Sequence, residues 1–196
     1  MRLTRAEQQR LTRERLLDAG RAAFLERGYL AATVEEIAVA AGYTRGAVYK
    51  QFGGKEGLWQ AIIDARAEGL VRNFADALDR VSGREGLLAV LTPPPGGEVA
   101  RWALVSAEAV AAMSGNPGHA SKMAALQDRF DTEITILLER HCARLGVIPA
   151  VPLPHLVLAW GAMGAGLALR QAIHPETDAA AVTASMLGAL FPRRYP

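Results

Sequence analysis

Along most of the 196-residue chain, apolar positions recur at the three-and-four spacing of one helix face. They almost never alternate as a half-buried strand would require. Leu16, Ala19, Ala23 and Phe24 share a face in a helix predicted over Leu11–Arg27 and closed by Gly28. Val34, Ile37, Ala38 and Ala41 mark a second helix, over 34–41, where Thr33 and Glu36 make a capping box. Gly42 then supplies the left-handed residue a helix C-terminus favours, and Thr44 is placed to cap a third helix over 45–52. Ala38, Gly42 and Val48 are spaced as a small contact residue, a turn and a plug between two closely packed helices. Two short helices joined so tightly fit a helix-turn-helix, whose second helix enters the DNA major groove.

Gly53-Gly54 breaks the pattern, and Lys55 opens a long fourth helix predicted to reach Val81. Its apolar line runs through Ile63, Ala67, Leu70, Phe74, Ala77 and Val81. At 1.5 Å per residue it spans roughly 40 Å, enough to serve two compact units, with Gly69 near the middle as its expected bending point. A short helix over Arg84–Leu91 follows and stops at Thr92-Pro-Pro-Pro-Gly-Gly, a loop. Further helices are predicted over Glu98–Met113, Ala120–Leu145, Leu156–Ile173 and Asp178–Phe191. The stretch from Val147 to Pro154 is too proline-rich to be expected in a helix. The fold class is therefore all-α, about nine helices and no sheet. Residues 1–54 form a three-helix N-terminal domain, and residues 55–196 form a second helical domain.

Composition adds little to this and excludes several things. The chain is 51% hydrophobic, enough for an ample core, and its net charge of +2 rules out a polycation. Charge is nonetheless uneven. Residues 1–57 carry ten Lys/Arg against seven Asp/Glu, with Arg2, Arg5, Arg10, Arg13 and Arg15 crowding the start. That cluster reads either as a solvated tail or as an arm touching DNA phosphates. A single cysteine, Cys142, excludes an internal disulfide framework. His141, His119, His155 and His174 show no metal-ligand spacing, so no metal or cofactor is expected. No apolar leader opens the sequence, and the longest apolar run, Leu156–Leu169, is shorter than the roughly twenty residues a membrane span needs. A cytoplasmic protein without membrane contact is the expectation.

Residues 16–58 resemble the DNA-binding domain of the tetracycline-repressor (TetR) family of bacterial transcription regulators. The matching residues are Leu16-Leu17, Ala19, Phe24, Gly28-Tyr29, Thr33-Val34, Ile37-Ala38, Ala41-Gly42, Gly46, Val48-Tyr49, Phe52, Lys55-Glu56 and Leu58. Beyond residue 58 the chain resembles the family only in helix number and arrangement. Gly20 and Ala23 depart from the family pattern, which suggests a slightly loose first helix, and Tyr43 stands where a small aliphatic residue is usual. The resemblance implies a homodimer that binds operator DNA through 1–54 and senses an unnamed small-molecule effector in a ligand-binding and dimerisation domain, 55–196.

On that reading the DNA-contacting residues are Thr33, Thr44, Arg45, Gly46, Ala47, Tyr49, Lys50 and Lys55. Arginine is the better bidentate reader of guanine, so Arg45 is assigned to a base edge. Gly46 and Ala47 let the helix sit deep, while Thr44, Tyr49 and Lys55 suit phosphates. An effector pocket would draw its walls from Phe74, Trp102, Met113, Phe130, Trp160 and Met163, residue types that at helical spacing more often form plain core. Arg101, Glu108 and Arg170 are the charges that could orient a ligand, although surface positions suit them better. Gly161, Gly164, Ala165 and Ala168, small residues on one helix, together with Leu187 on the last, suit a dimer interface. Three competing readings stay open: an activator or ligand-independent regulator of the same fold, an all-α enzyme, and a helical interaction module. Against an enzyme, no Ser/His/Asp, Cys/His or paired-carboxylate constellation stands at readable spacing, and no phosphate-binding glycine motif occurs.

Overall fold

The computed structural model describes residues 4–92 and 97–193. Arg2, and most of the proline-rich loop after Thr92, therefore lie outside the described residues. Nine α-helices and no strand occur among those described: α1 (Arg5–Ala31), α2 (Val34–Ala40), α3 (Arg45–Phe52), α4 (Lys55–Arg80), α5 (Gly83–Leu91), α6 (Gly97–Met113), α7 (Pro117–Leu145), α8 (Leu153–Ile173) and α9 (Ala179–Leu190).

Two helix starts differ from expectation for local reasons. α1 begins at Arg5, because Thr4 and Glu7 form a second capping box: Thr4 N–H donates to Glu7 Oε2 at 2.7 Å, and Glu7 N–H to Thr4 Oγ1 at 3.2 Å. Arg5, Arg10, Arg13 and Arg15 thus sit on a helix and not on a loose arm. α8 begins at Leu153 and carries Pro154 in its first turn, where a missing N–H costs no hydrogen bond. The expectation of a non-helical Pro154 is corrected accordingly.

The described chain divides into two compact units, Met1–Arg66 with Val105–Met123, and Ala67–Leu104 with Ala124–Pro196. In the first, Leu16, Phe24, Ile37, Val48, Leu58 and Trp59 are wholly buried. Phe24 stacks on Tyr29 at 5.5 Å between centroids, and Trp59 meets both rings edge-on at 5.4 and 5.5 Å. Gly20 lies on the face of α1 that meets α4. A Cβ there would stand 3.0 Å from Ile62 Cδ1 and 3.1 Å from Leu58 Cδ2, so its lack of a side chain is what lets α4 pack closely on α1.

The second unit is organised on Leu78, Leu87, Leu91, Ile134, Leu138, Leu156, Leu187 and Phe191. Cys142 belongs to this core, and burial pushes its thiol pKa up, away from the reactive thiolate. Polar side chains close the helix ends. Arg84 donates from Nε to Phe191 O and from Nη2 to Gly188 O at 3.0 Å, and Arg144 Nη2 donates to Leu78 O at 2.7 Å. Gly188 and Leu78 lie in the last turns of α9 and α4, where carbonyls run out of intrahelical partners, and Leu78 O also accepts the Val81 N–H at 3.4 Å. His141, buried on α7, lies 2.7 Å by Nδ1 from Leu137 O and 2.9 Å by Nε2 from Asp79 Oδ1. That hydrogen bond holds the Asp79 carboxyl below the ordinary carboxylate range.

The line of apolar residues expected on α4 is only partly used, since Leu70 is 43% exposed. α8 also departs from its expectation. At 21 residues it is long and apolar enough, by length and composition alone, to cross a membrane. The helix expected over Leu156–Ile173 ends where predicted and is lengthened only at its start, by Leu153–His155.

Candidate nucleic-acid interface

The first unit holds the predicted helix-turn-helix. Thr33 Oγ1 accepts the Glu36 N–H at 3.3 Å, and Glu36 Oε2 accepts the Thr33 N–H at 3.2 Å, completing the capping box. The same carboxylate group pairs with Arg27 of α1. Hydrogen bonds to that carboxylate from the Thr33 hydroxyl, at 2.9 Å, and then from the Thr33 N–H, ahead of the Arg27 guanidinium, lower the Glu36 pKa. At the turn Gly42 takes φ 77°, a left-handed conformation cheap only for glycine. The Gly42 and Tyr43 N–H groups then donate back to Val39 O at 3.0 Å and Ala38 O at 2.8 Å. Both N–H groups of the turn are spent on the end of α2, so α3 leaves at a fixed angle.

Of α3, only Val48 is buried, and α3 packs against α2. Thr44, Arg45, Gly46, Tyr49 and Lys50 are exposed, and Ala47 is half-buried. Thr44 occupies the N-cap position, yet its side chain makes no capping hydrogen bond. Its hydroxyl is left available to another partner. Arg45 is well placed and already engaged. Its Nη1 lies 2.7 Å from Glu35 Oε1, its Nη2 3.1 Å from Tyr49 Oη, and its Cζ 5.1 Å from the Tyr49 ring centroid. The hydrogen bond to Tyr49, then the Glu35 carboxylate, raise the Arg45 pKa.

Lys55 is less free than its sequence position suggested. Its Nζ donates to Leu30 O at 3.1 Å and lies 4.7 Å from the Tyr29 ring centroid. Burial there lowers its pKa. The peptide of Leu30 is held from its other side too, since its N–H donates to Glu108 Oε2 at 3.2 Å. Just before it, Gly28 breaks the helical geometry at φ 85°, and a Cβ on Gly28 would stand 2.6 Å from that same Glu108 oxygen. Glu108, read from sequence as an effector-orienting charge, therefore clasps the α1 corner beside Lys55. Nothing local in the sequence announced this, because 78 residues separate the partners.

The expected effector-pocket residues are only partly brought together. Phe74, Phe130 and Trp160 pack on the core of the second unit. The rings of Phe74 and Trp160 are 5.8 Å apart, and Trp160 Nε1 donates to Leu91 O at 2.9 Å. Trp102 is buried and donates to Glu98 Oε1 at 3.2 Å, Met163 is half-buried on α8, and Met113 belongs to the first unit. Two open cavities lie elsewhere: a 410 Å³ one beside Arg84, Val147 and Arg193, and a 680 Å³ groove between α1 and α2. Of the expected interface residues, Gly161 and Ala165 are exposed and Gly164 is half-exposed. Ala168 and Leu187 are buried inside the protomer, at 3% and 0% exposure. No cluster of His, Cys, Asp and Glu suited to a metal occurs among the described residues.

This geometry defines a helix-turn-helix domain carried on an all-helical chain. Residues 16–62 match the family model described as bacterial regulatory proteins, tetR family. The transcriptional repressor BepR of Brucella suis is 49% identical over 63 residues, which are 32% of this chain and 30% of BepR. The match thus spans about a third of that relative's length. Two solved structures share the fold at greater length. Escherichia coli NemR in its reduced form gives a TM-score of 0.71 at 17% identity, covering 94% of this chain and 100% of that one. FadR of Bacillus subtilis, in complex with stearoyl-CoA, gives 0.65 at 14% identity, covering 93% and 99%. Residues 16–62 thus carry a helix-turn-helix domain of the tetR type, and the described chain shares its fold with these solved structures.

Proposed function

We propose that the protein is a homodimeric transcriptional regulator of the cytoplasm that binds a palindromic operator and releases it when a small-molecule effector binds. The observation that carries this reading is α3. Val48 is its one buried residue, and it presents Thr44, Arg45, Tyr49 and Lys50 outward, as a helix entering the major groove requires. Arg45 reads a base edge, while Thr44, Tyr49 and Lys50 contact phosphates. Lys55 keeps two ammonium donors beyond the one given to Leu30, and these serve a phosphate. The repressor mode is favoured over an activator by the kinship with BepR.

Dimerisation through α8 and α9 is supported by their exposed apolar surface. Leu158 is 64% and Ile173 75% exposed on α8, and Met186 52% on α9. Gly161 and Ala165 would let a second copy approach closely. A two-fold axis matches a palindromic site. The effector reading draws support from the ligand held by the FadR neighbour. Phe74, Phe130 and Trp160 are the walls the second unit offers.

The test begins with a duplex selected from a random-sequence library and measured by mobility shift. Lys55→Ala is expected to weaken binding to all sequences alike and to lower the salt slope by roughly one. Ala165→Glu is expected to sediment as a monomer and lose affinity for the selected duplex. Failure to enrich any sequence would refute the DNA-binding reading. An unchanged dimer from Ala165→Glu would move the interface.

A further inference from the structure

We propose that Glu35 is a positioning residue for Arg45 and, through it, a determinant of which base pair the recognition helix reads. The inference rests on the assignment of Arg45 to a base edge made above. Glu35 lies in the first turn of α2 and Arg45 opens α3. The Gly42 turn brings the two together, so that Arg45 Nη1 meets Glu35 Oε1 at 2.7 Å. One helical turn along α3, the Tyr49 hydroxyl takes Nη2 at 3.1 Å and its ring lies against the guanidinium. The side chain is thus gripped from two separate elements, by an anion on one and by a hydroxyl and a ring on the other.

Three physical reasons make this grip functional. A guanidinium has five N–H donors. Glu35 and Tyr49 use two, leaving enough for a bidentate contact with guanine. A free arginine would lose its rotamer freedom on meeting DNA, whereas a held one has lost it already, which favours the correct partner. A cation at the first position of a helix also opposes the positive end of that helix, and Glu35 offsets the conflict. Glu35 is itself half-exposed and negative, so it repels phosphates. A residue that weakens general affinity while sharpening a base reader leaves a signature of two opposite signs.

The experiment is a double-mutant cycle on the full-length dimer, using the selected duplex and a random-sequence duplex of equal length. Glu35→Ala is expected to leave affinity for random DNA unchanged or higher and to cut the selected-to-random ratio by about threefold to tenfold. Arg45→Ala should cut the ratio by about tenfold or more. The double variant should be no worse than Arg45→Ala alone, because without Arg45 there is nothing for Glu35 to hold. Glu35→Gln keeps an acceptor for Nη1 and should fall between wild type and Glu35→Ala. Additive effects in the cycle would overturn the inference and leave Glu35 as an independent DNA contact. A Glu35→Ala protein with an unchanged ratio would overturn it too. If Arg45→Ala left the ratio unchanged, the base-reader assignment itself would fall, and the positioning role with it.

Discussion

Gly57 and Gly69 lie on the same helix, and replacing each by alanine should move stability in opposite directions. Intrinsic helix preference favours alanine by about 1 kcal/mol at both. At Gly69 nothing lies within 4 Å of the place a Cβ would take, so most of that gain should be kept. At Gly57 that place is 1.8 Å from Phe52 O and 3.0 Å from Phe52 C. The obstacle is backbone, not the end of a flexible side chain, so α3 and α4 must part at their junction. Overpacking costs about 1–3 kcal/mol in well-packed sites, and a backbone clash belongs at the upper end. Set against the helix gain, Gly57→Ala should lose about 2 kcal/mol. For a chain of this size a kilocalorie corresponds to about 2–4 °C in Tm. Gly57→Ala should therefore melt about 4–8 °C lower and Gly69→Ala about 2–4 °C higher, followed by circular dichroism at 222 nm. Because Phe52 ends α3, Gly57→Ala should also weaken DNA binding in the mobility shift at a temperature where it remains folded. A Gly57→Ala protein as stable as wild type would refute the reasoning. So would Tm shifts of the same sign for the two variants.

Glu108→Ala leaves the Leu30 N–H without its carboxylate and should cost about 1 kcal/mol in urea unfolding, since the pair is partly solvated; unchanged stability would show the clasp to be idle. Burial, helped by the Glu56 carboxylate, pushes the Tyr29 phenol up to about 12. The folded state then keeps a proton that the unfolded chain loses near 10, so stability should fall by about 2 kcal/mol as pH rises from 10 to 12. Absorbance at 295 nm should show one late-titrating tyrosine, and Tyr29→Phe should remove both signals. Trp160→Phe deletes the donor to Leu91 O and should destabilise by about 1–2 kcal/mol in the same unfolding assay, whereas an unperturbed midpoint would mean that water replaces the indole.

The elements of this protein are written locally. Thr33 with Glu36, Gly42 and Gly53-Gly54 mark where helices start and stop through interactions that span four residues or fewer, which is why α2 and α3 fall where their spacing predicted. The Thr4–Glu7 box that starts α1, and the tolerance of Pro154 in the first turn of α8, are equally local and were legible in principle. Val48 as the plug of the helix-turn-helix follows from the same short-range periodicity. What only the tertiary structure decided depends on residues far apart in the chain. Gly20 reads as a weak helix residue until Leu58 and Ile62 close over it. Glu108 reads as a free charge until the α1 corner meets it, and Lys55 as a free cation until the Leu30 carbonyl and the Tyr29 ring take its ammonium. Leu187 shares the apolar character of its exposed neighbour Met186, and only packing turned it inward. Glu35 and Arg45 illustrate the boundary most directly. Each is an ordinary helix-start residue in sequence, and the angle of one glycine turn brings their charges to 2.7 Å.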